Sequence, residues 1–114
     1  MNAELEMAIF GIIASSGEAK AISLAAIHLA KEGDTDGAKA KLLEIPKVRA
    51  IAMEHHSNLV QKEAQQMLAK DNSSNADFSL SLLLVHAEDQ MMSAETIEIM
   101  AREMIDLYEK LGSK

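Results

Sequence analysis

Apolar residues recur along this chain at intervals of three and four, the spacing of one helix face, in three blocks separated by short polar breaks. In the first block Leu5, Ile9, Ile12 and Ile13 follow that spacing, which predicts a helix from about Ala3 to Glu32. Ser15-Ser16-Gly17 interrupts its middle. Small residues there suit close helix packing, or room left beside a reactive group. Gly33-Asp34-Thr35-Asp36 should stop this helix and cap the next, because glycine tolerates a left-handed turn and Asp or Thr accepts a first-turn N–H. The second block places Leu42, Ile45, Val48, Ala52, His55 and Leu59 on one stripe, predicting a helix from about Thr35 to Ala69. Pro46 falls inside it, removing a donor and crowding the preceding turn. The block therefore reads either as one kinked helix or as two.

Asp71-Asn72-Ser73-Ser74-Asn75 is polar, turn-forming and aperiodic, hence a loop. Asn75 or Asp77 can cap a third helix that runs to about Leu111, where Gly112 ends it. Its opening, Phe78 to Met92, is apolar on nearly every side. One stripe is Leu80, Leu84, Ala87, Met91 and Ala94. A second holds Leu83, His86, Gln90, Ser93, Ile97, Met100 and Met104, and a third Leu82, Val85, Asp89, Met92, Thr96 and Ile99. A helix apolar all round is buried all round. Two partner helices cover only part of this circumference, so the pattern predicts self-association. The expected fold is all-α: an antiparallel three-helix bundle formed by residues 1–114 as a single domain.

Composition narrows the functions. The formal net charge is -7, without a basic run, and aromatic residues make up 3% of the chain. Nucleic-acid binding rests on Lys and Arg neutralising phosphates and on aromatic stacking, so neither feature favours it. The absence of cysteine removes disulfides, thiolate metal sites and thiol nucleophiles. No export signal is legible at the start, and no apolar stretch is expected to reach the roughly 20 residues that span a bilayer. The expected location is cytoplasmic.

His86, Asp89 and Gln90 are the chemical candidates. Asp89 and Gln90 lie three and four residues after His86, so all three are neighbours on the helix surface. A histidine in an apolar stripe is commonly a hydrogen-bonded core residue. It is also a nucleophile at neutral pH, able to accept a phosphoryl group if donors are placed for the phosphate oxygens. Gln90 can donate to such oxygens or orient the ring; ionised Asp89 cannot donate. Asp89 poses a separate problem, because a lone carboxylate among Leu82, Val85 and Met92 is costly to bury. Copies brought together by symmetry would repel by ~4 kcal/mol per pair at about 4 Å with an effective dielectric of about 20. Protonation or a shared hard cation relieves that repulsion, and a partly exposed or water-linked Asp avoids it. Other metal readings fail: His55 and His56 are adjacent and point apart, and no Glu-x-x-His occurs. His28, His55 and His56 read as structural or surface residues.

Several segments together resemble the IIA component of the lactose/cellobiose type of the bacterial sugar phosphotransferase system. FGIIASSGEAK and the following LAKEGD are similar to that family's first helix and turn, and LVQKEA to the end of its second helix. SLLLVHAEDQMM resembles its phosphorylation segment and MIDLYEKL its closing helix. The resemblance implies a homotrimer of three-helix bundles, nine helices in all. It implies that His86 takes a phosphoryl group from the phosphocarrier HPr, on the ring nitrogen remote from the backbone. The group would pass to a cysteine of the IIB component for uptake of a disaccharide of the lactose, cellobiose or chitobiose type. Contact with the membrane would be indirect, through the IIC transporter. Asp89 would bind a divalent cation, Mg2+ by resemblance, on the trimer axis. The chain departs from the family's usual residues at Lys20, Met53, His56, Ser57, Glu88 and Gln90, and Pro46 is unusual. An alternative is a non-catalytic helical adaptor or regulator that retains the IIA fold; another is an unrelated bundle with a core histidine.

Overall fold

The computed structural model describes residues 3–69 and 82–112. Four helices follow in order: α1 (Ala3–Lys31), α2 (Thr35–Leu42), α3 (Ile45–Ala69) and α4 (Leu82–Gly112). The three long ones form the expected bundle. The predicted loop at residues 71–75, the caps Asn75 and Asp77, and Leu80 lie outside the described residues.

The second block is two helices, not one kinked helix. Leu43 N donates to Ala40 O at 3.2 Å and Glu44 N to Lys41 O at 3.0 Å, a tightened turn that closes α2. Pro46 is the second residue of α3. A proline in the first turn lacks only an N–H that would have no helical partner anyway. The break costs nothing in the core because Leu42, Ile45 and Val48 all stay buried across it. The turn between α1 and α2 follows the expected scheme. Gly33 has φ +92, Gly33 N donates to Ala30 O and Asp34 N to Leu29 O, the reciprocal pair that closes a helix on a left-handed residue. Asp34 then caps α2, accepting from Gly37 N at 2.8 Å.

The first helix is the centre of the bundle and packs against each of the others. Its contact positions are mostly small: Ala8, Ser15, Ser16, Ala19, Ser23, Ala26 and Ala30 are all buried. Small side chains let the helix axes approach closely. Gly11 shows this most sharply, since a Cβ there would sit 2.5 Å from His55 Nε2 on α3. Gly17, by contrast, faces open space and needs no packing reason. By length and composition alone α1 is apolar enough to cross a bilayer, against the expectation that no such stretch exists. Leu5, Ile9, Ile12 and Ile22 of this helix are buried in the bundle, while Met7, Phe10 and Leu24 are exposed.

The interior has two apolar clusters. One joins Ala19, Ile22 and Ala26 to Leu42, Ile45, Ala101 and Ile105. The other joins Leu5, Ile9 and Ile12 to Ala52, Leu59, Leu84, Ala87 and Met91. Between them lies a polar band. Glu98 is buried and accepts from Arg49 Nη1 at 2.6 and 2.7 Å and from Arg102 Nη2 at 3.0 Å. Ser15 and Ser16 border the same band, around a cavity of about 10 Å³, enough for one water. Among the described residues the Ser16 hydroxyl has no hydrogen-bond partner, and such a water would satisfy it.

Candidate functional site

Leu84, Ala87, Met91 and Ala94 are buried, so that stripe of α4 faces α1 and α3 as expected. Rotation around the helix then fixes the other positions. Asp89 lies nearly opposite the core. His86 lies on the outer part of the α1 flank, Gln90 further in on that flank, and Glu88 on the α3 flank.

His86 is exposed and Gln90 half-buried. The imidazole is therefore not a core histidine satisfied within one bundle. Its side chain is open to solvent. Gln90 is held from outside its own helix: Lys20 Nζ on α1 donates to Gln90 Oε1 at 2.6 Å. On the opposite flank His56 Nδ1 on α3 lies 2.8 Å from both carboxylate oxygens of Glu88. His56 and Glu88 are each roughly 70% buried on their side chains, so this pair is better shielded than an ordinary surface bridge. The two contacts bracket His86 and tie this part of α4 to both neighbouring helices.

These partners were not legible in the sequence. His56 reads there as a surface or structural residue, and nothing assigns a role to Lys20 beyond its place in a resembling segment. The only signal was that Lys20, His56, Glu88 and Gln90 are all among the departures from the family's usual residues. In the structure they form two pairs with each other. Met53 and Ser57, two further departures, are exposed and join neither pair.

Asp89 is exposed, within the third stripe. That stripe is open along its length: Leu82 is 86%, Met92 63% and Ile99 62% exposed. Beside it Val60, Glu63, Val85, Glu88, Asp89 and Met92 rim a groove floored by Leu59 and Leu84. Among the described residues of one chain no group of three His, Cys, Asp or Glu side chains could hold a metal ion. A cation at Asp89 would need ligands from further copies. One carboxylate per copy is a hard oxygen donor suited to Mg2+ or Ca2+, and an outward position on an apolar face is where copies would bring such donors together. The residue present fits the group on that condition.

The fold is a small helical bundle with His86 exposed on its last helix. The family described as "PTS system, Lactose/Cellobiose specific IIA subunit" matches residues 7–109, and the chain belongs to it. It is 36% identical to the lichenan-specific phosphotransferase enzyme IIA component of Bacillus subtilis, over 97% of this chain and 93% of that protein. It is 35% identical to the N,N'-diacetylchitobiose-specific EIIA component of Escherichia coli K12, over 95% of this chain and 85% of that protein. The cellobiose-specific enzyme IIA of Bacillus anthracis superimposes with a TM-score of 0.85 at 31% identity, covering 100% of this chain and 96% of that one. The IIA(chitobiose) of Escherichia coli, solved in complex with HPr, gives a TM-score of 0.69 at 30% identity, with coverages of 97% and 99%.

Proposed function

We propose that this protein is a cytoplasmic phosphoryl carrier that accepts phosphate on His86 and passes it to a IIB component. The observation that carries this reading is the exposed His86 imidazole, four residues before a half-buried Gln90 whose amide is held by Lys20. A neutral imidazole has one protonated nitrogen and one lone pair. The lone pair attacks phosphorus of a phosphohistidine donor, and a new N–P bond forms as the donor's N–P bond breaks. The electron pair of the broken bond returns to the donor's ring. In the second step a thiolate of the acceptor attacks the same phosphorus, and the electron pair returns to His86. Neither step needs a bound nucleotide. Gln90 stands where its NH2 can donate to a phosphoryl oxygen and lower the charge built up in transfer. A structural neighbour solved with HPr supports that donor, and the diacetylchitobiose-specific relative supports a disaccharide of the cellobiose or chitobiose type as the transported sugar.

The exposed stripe on α4 supports a homotrimer in which copies cover Leu82, Val85, Met92 and Ile99 and leave His86 at a cleft between them. Asp89 would then hold a divalent cation, Mg2+ by chemistry, shared among the copies; the ion supplies positive charge against their carboxylates.

The test is incubation with a labelled phosphohistidine donor protein. The expected result is acid-labile label on the protein, absent from His86→Ala, that moves onto a IIB component. Label that survives His86→Ala would overturn the reading. Label on His86 that moves to no IIB component would favour a regulatory protein keeping the fold.

A further inference from the structure

The geometry points to Lys20 as a positioning residue: it locks the Gln90 amide with its oxygen turned inward, so that the NH2 is the end presented to a phosphoryl group on His86. This rests on His86 being the acceptor.

An ammonium only donates, and a glutamine amide has one accepting end and one donating end. Lys20 Nζ at 2.6 Å can therefore face only Oε1, and the amide orientation follows from chemistry rather than from the shape of the side chain. The partners are 70 residues apart and part-buried, so the packing of α1 on α4 enforces the contact. With Oε1 engaged by Lys20, Nε2 is the end of the amide that can donate elsewhere, and Gln90 lies one helical turn after His86. An unheld amide would also present its oxygen, and two oxygens carrying negative charge would then face each other. The ammonium has a second effect: drawing electron density toward Oε1 makes the NH2 a stronger donor. A neutral glutamine thereby receives the benefit of a cation without contacting the phosphate through one.

Three variants separate this from a structural contact. Gln90→Glu keeps a partner for Lys20 but has no NH2. It should retain the wild-type melting temperature and accept phosphate about tenfold more slowly. Lys20→Met should slow acceptance several-fold and Lys20→Arg should restore most of the rate. Lys20→Met placed in a Gln90→Ala background should cause no further slowing, because the lysine acts through the amide. Circular dichroism checks that each variant is folded. Equal slowing by Lys20→Met with and without Gln90 would overturn the inference, as would wild-type acceptance by Gln90→Glu. If the unaltered protein takes no label on His86, the functional reading itself fails. If it does and Lys20→Met matches it in rate, only the role of Lys20 fails.

Discussion

Glu98 on α4 holds Arg49 on α3 through both carboxylate oxygens, at 2.6 and 2.7 Å, inside the polar band that divides the core. Burial is the largest influence on Glu98 and pushes its carboxyl up. The hydrogen bonds and charges of Arg49 and Arg102 together outweigh it and hold the group below the usual carboxylate range. A carboxylate with a lowered folded pKa contributes stability that is present above its unfolded pKa and lost as pH falls through the folded one. Unfolding by urea should therefore show stability falling below about pH 4.5, and Glu98→Gln should remove part of that slope. Arg49→Ala leaves the buried charge with Arg102 alone and should cost about 1–3 kcal/mol near neutral pH.

Two glycines of α1 should respond oppositely to alanine. At Gly17 a Cβ meets nothing within 4 Å, so Gly17→Ala should stabilise by about 0.5–1 kcal/mol through helix propensity. At Gly11 the Cβ would fall 2.5 Å from His55 Nε2, so the ring must move. Gly11→Ala should be less stable than Gly17→Ala by about 1 kcal/mol or more. Adding His55→Ala should recover part of that difference in thermal melts.

The exposed stripe predicts a clean separation of folding from assembly. Val85 and Ile99 are open in the single chain, so Val85→Glu and Ile99→Glu should leave helicity unchanged. In equilibrium sedimentation the unaltered protein should be trimeric and the same variants monomeric. A trimer that persists in both variants would show that copies meet elsewhere.

Asp89 should link assembly to divalent ions. Chelation should lower the melting temperature of the trimer by leaving its carboxylates unneutralised. Asp89→Asn should make the melt indifferent to chelator. A wild-type melt unmoved by chelator would remove the cation from the account.

The buried faces were readable because period is a strong signal. Leu84, Ala87, Met91 and Ala94 were placed correctly on the core side, as were Leu42, Ile45, Val48, Ala52 and Leu59. Pro46 left one kinked helix or two as the alternatives, because the stripe runs on through it; the backbone breaks at Leu43 and Glu44, just before α3 begins. Gly17 drew attention as an interruption, yet the close approach is at Gly11, whose need arises from a ring on another helix. Lys20 with Gln90 and His56 with Glu88 were out of reach for a similar reason. A contact between single polar residues on different helices leaves no periodic trace. His86, Asp89 and Gln90 stood out only as polar residues in an apolar run, and for His86 and Asp89 the structure accounts for this by exposure rather than by a satisfied interior.

The band of Ser15, Ser16, Arg49 and Glu98 also sets the register of the bundle. Sliding α4 along α1 by one turn would carry the carboxylate into an apolar cluster and strand it without its arginines. The penalty rises at once rather than gradually, so α4 has one seat. An anchor roughly three turns along the same rod from His86 thus decides how far that imidazole stands from Lys20, and substitutions made for stability near Glu98 would be felt as a displacement of His86.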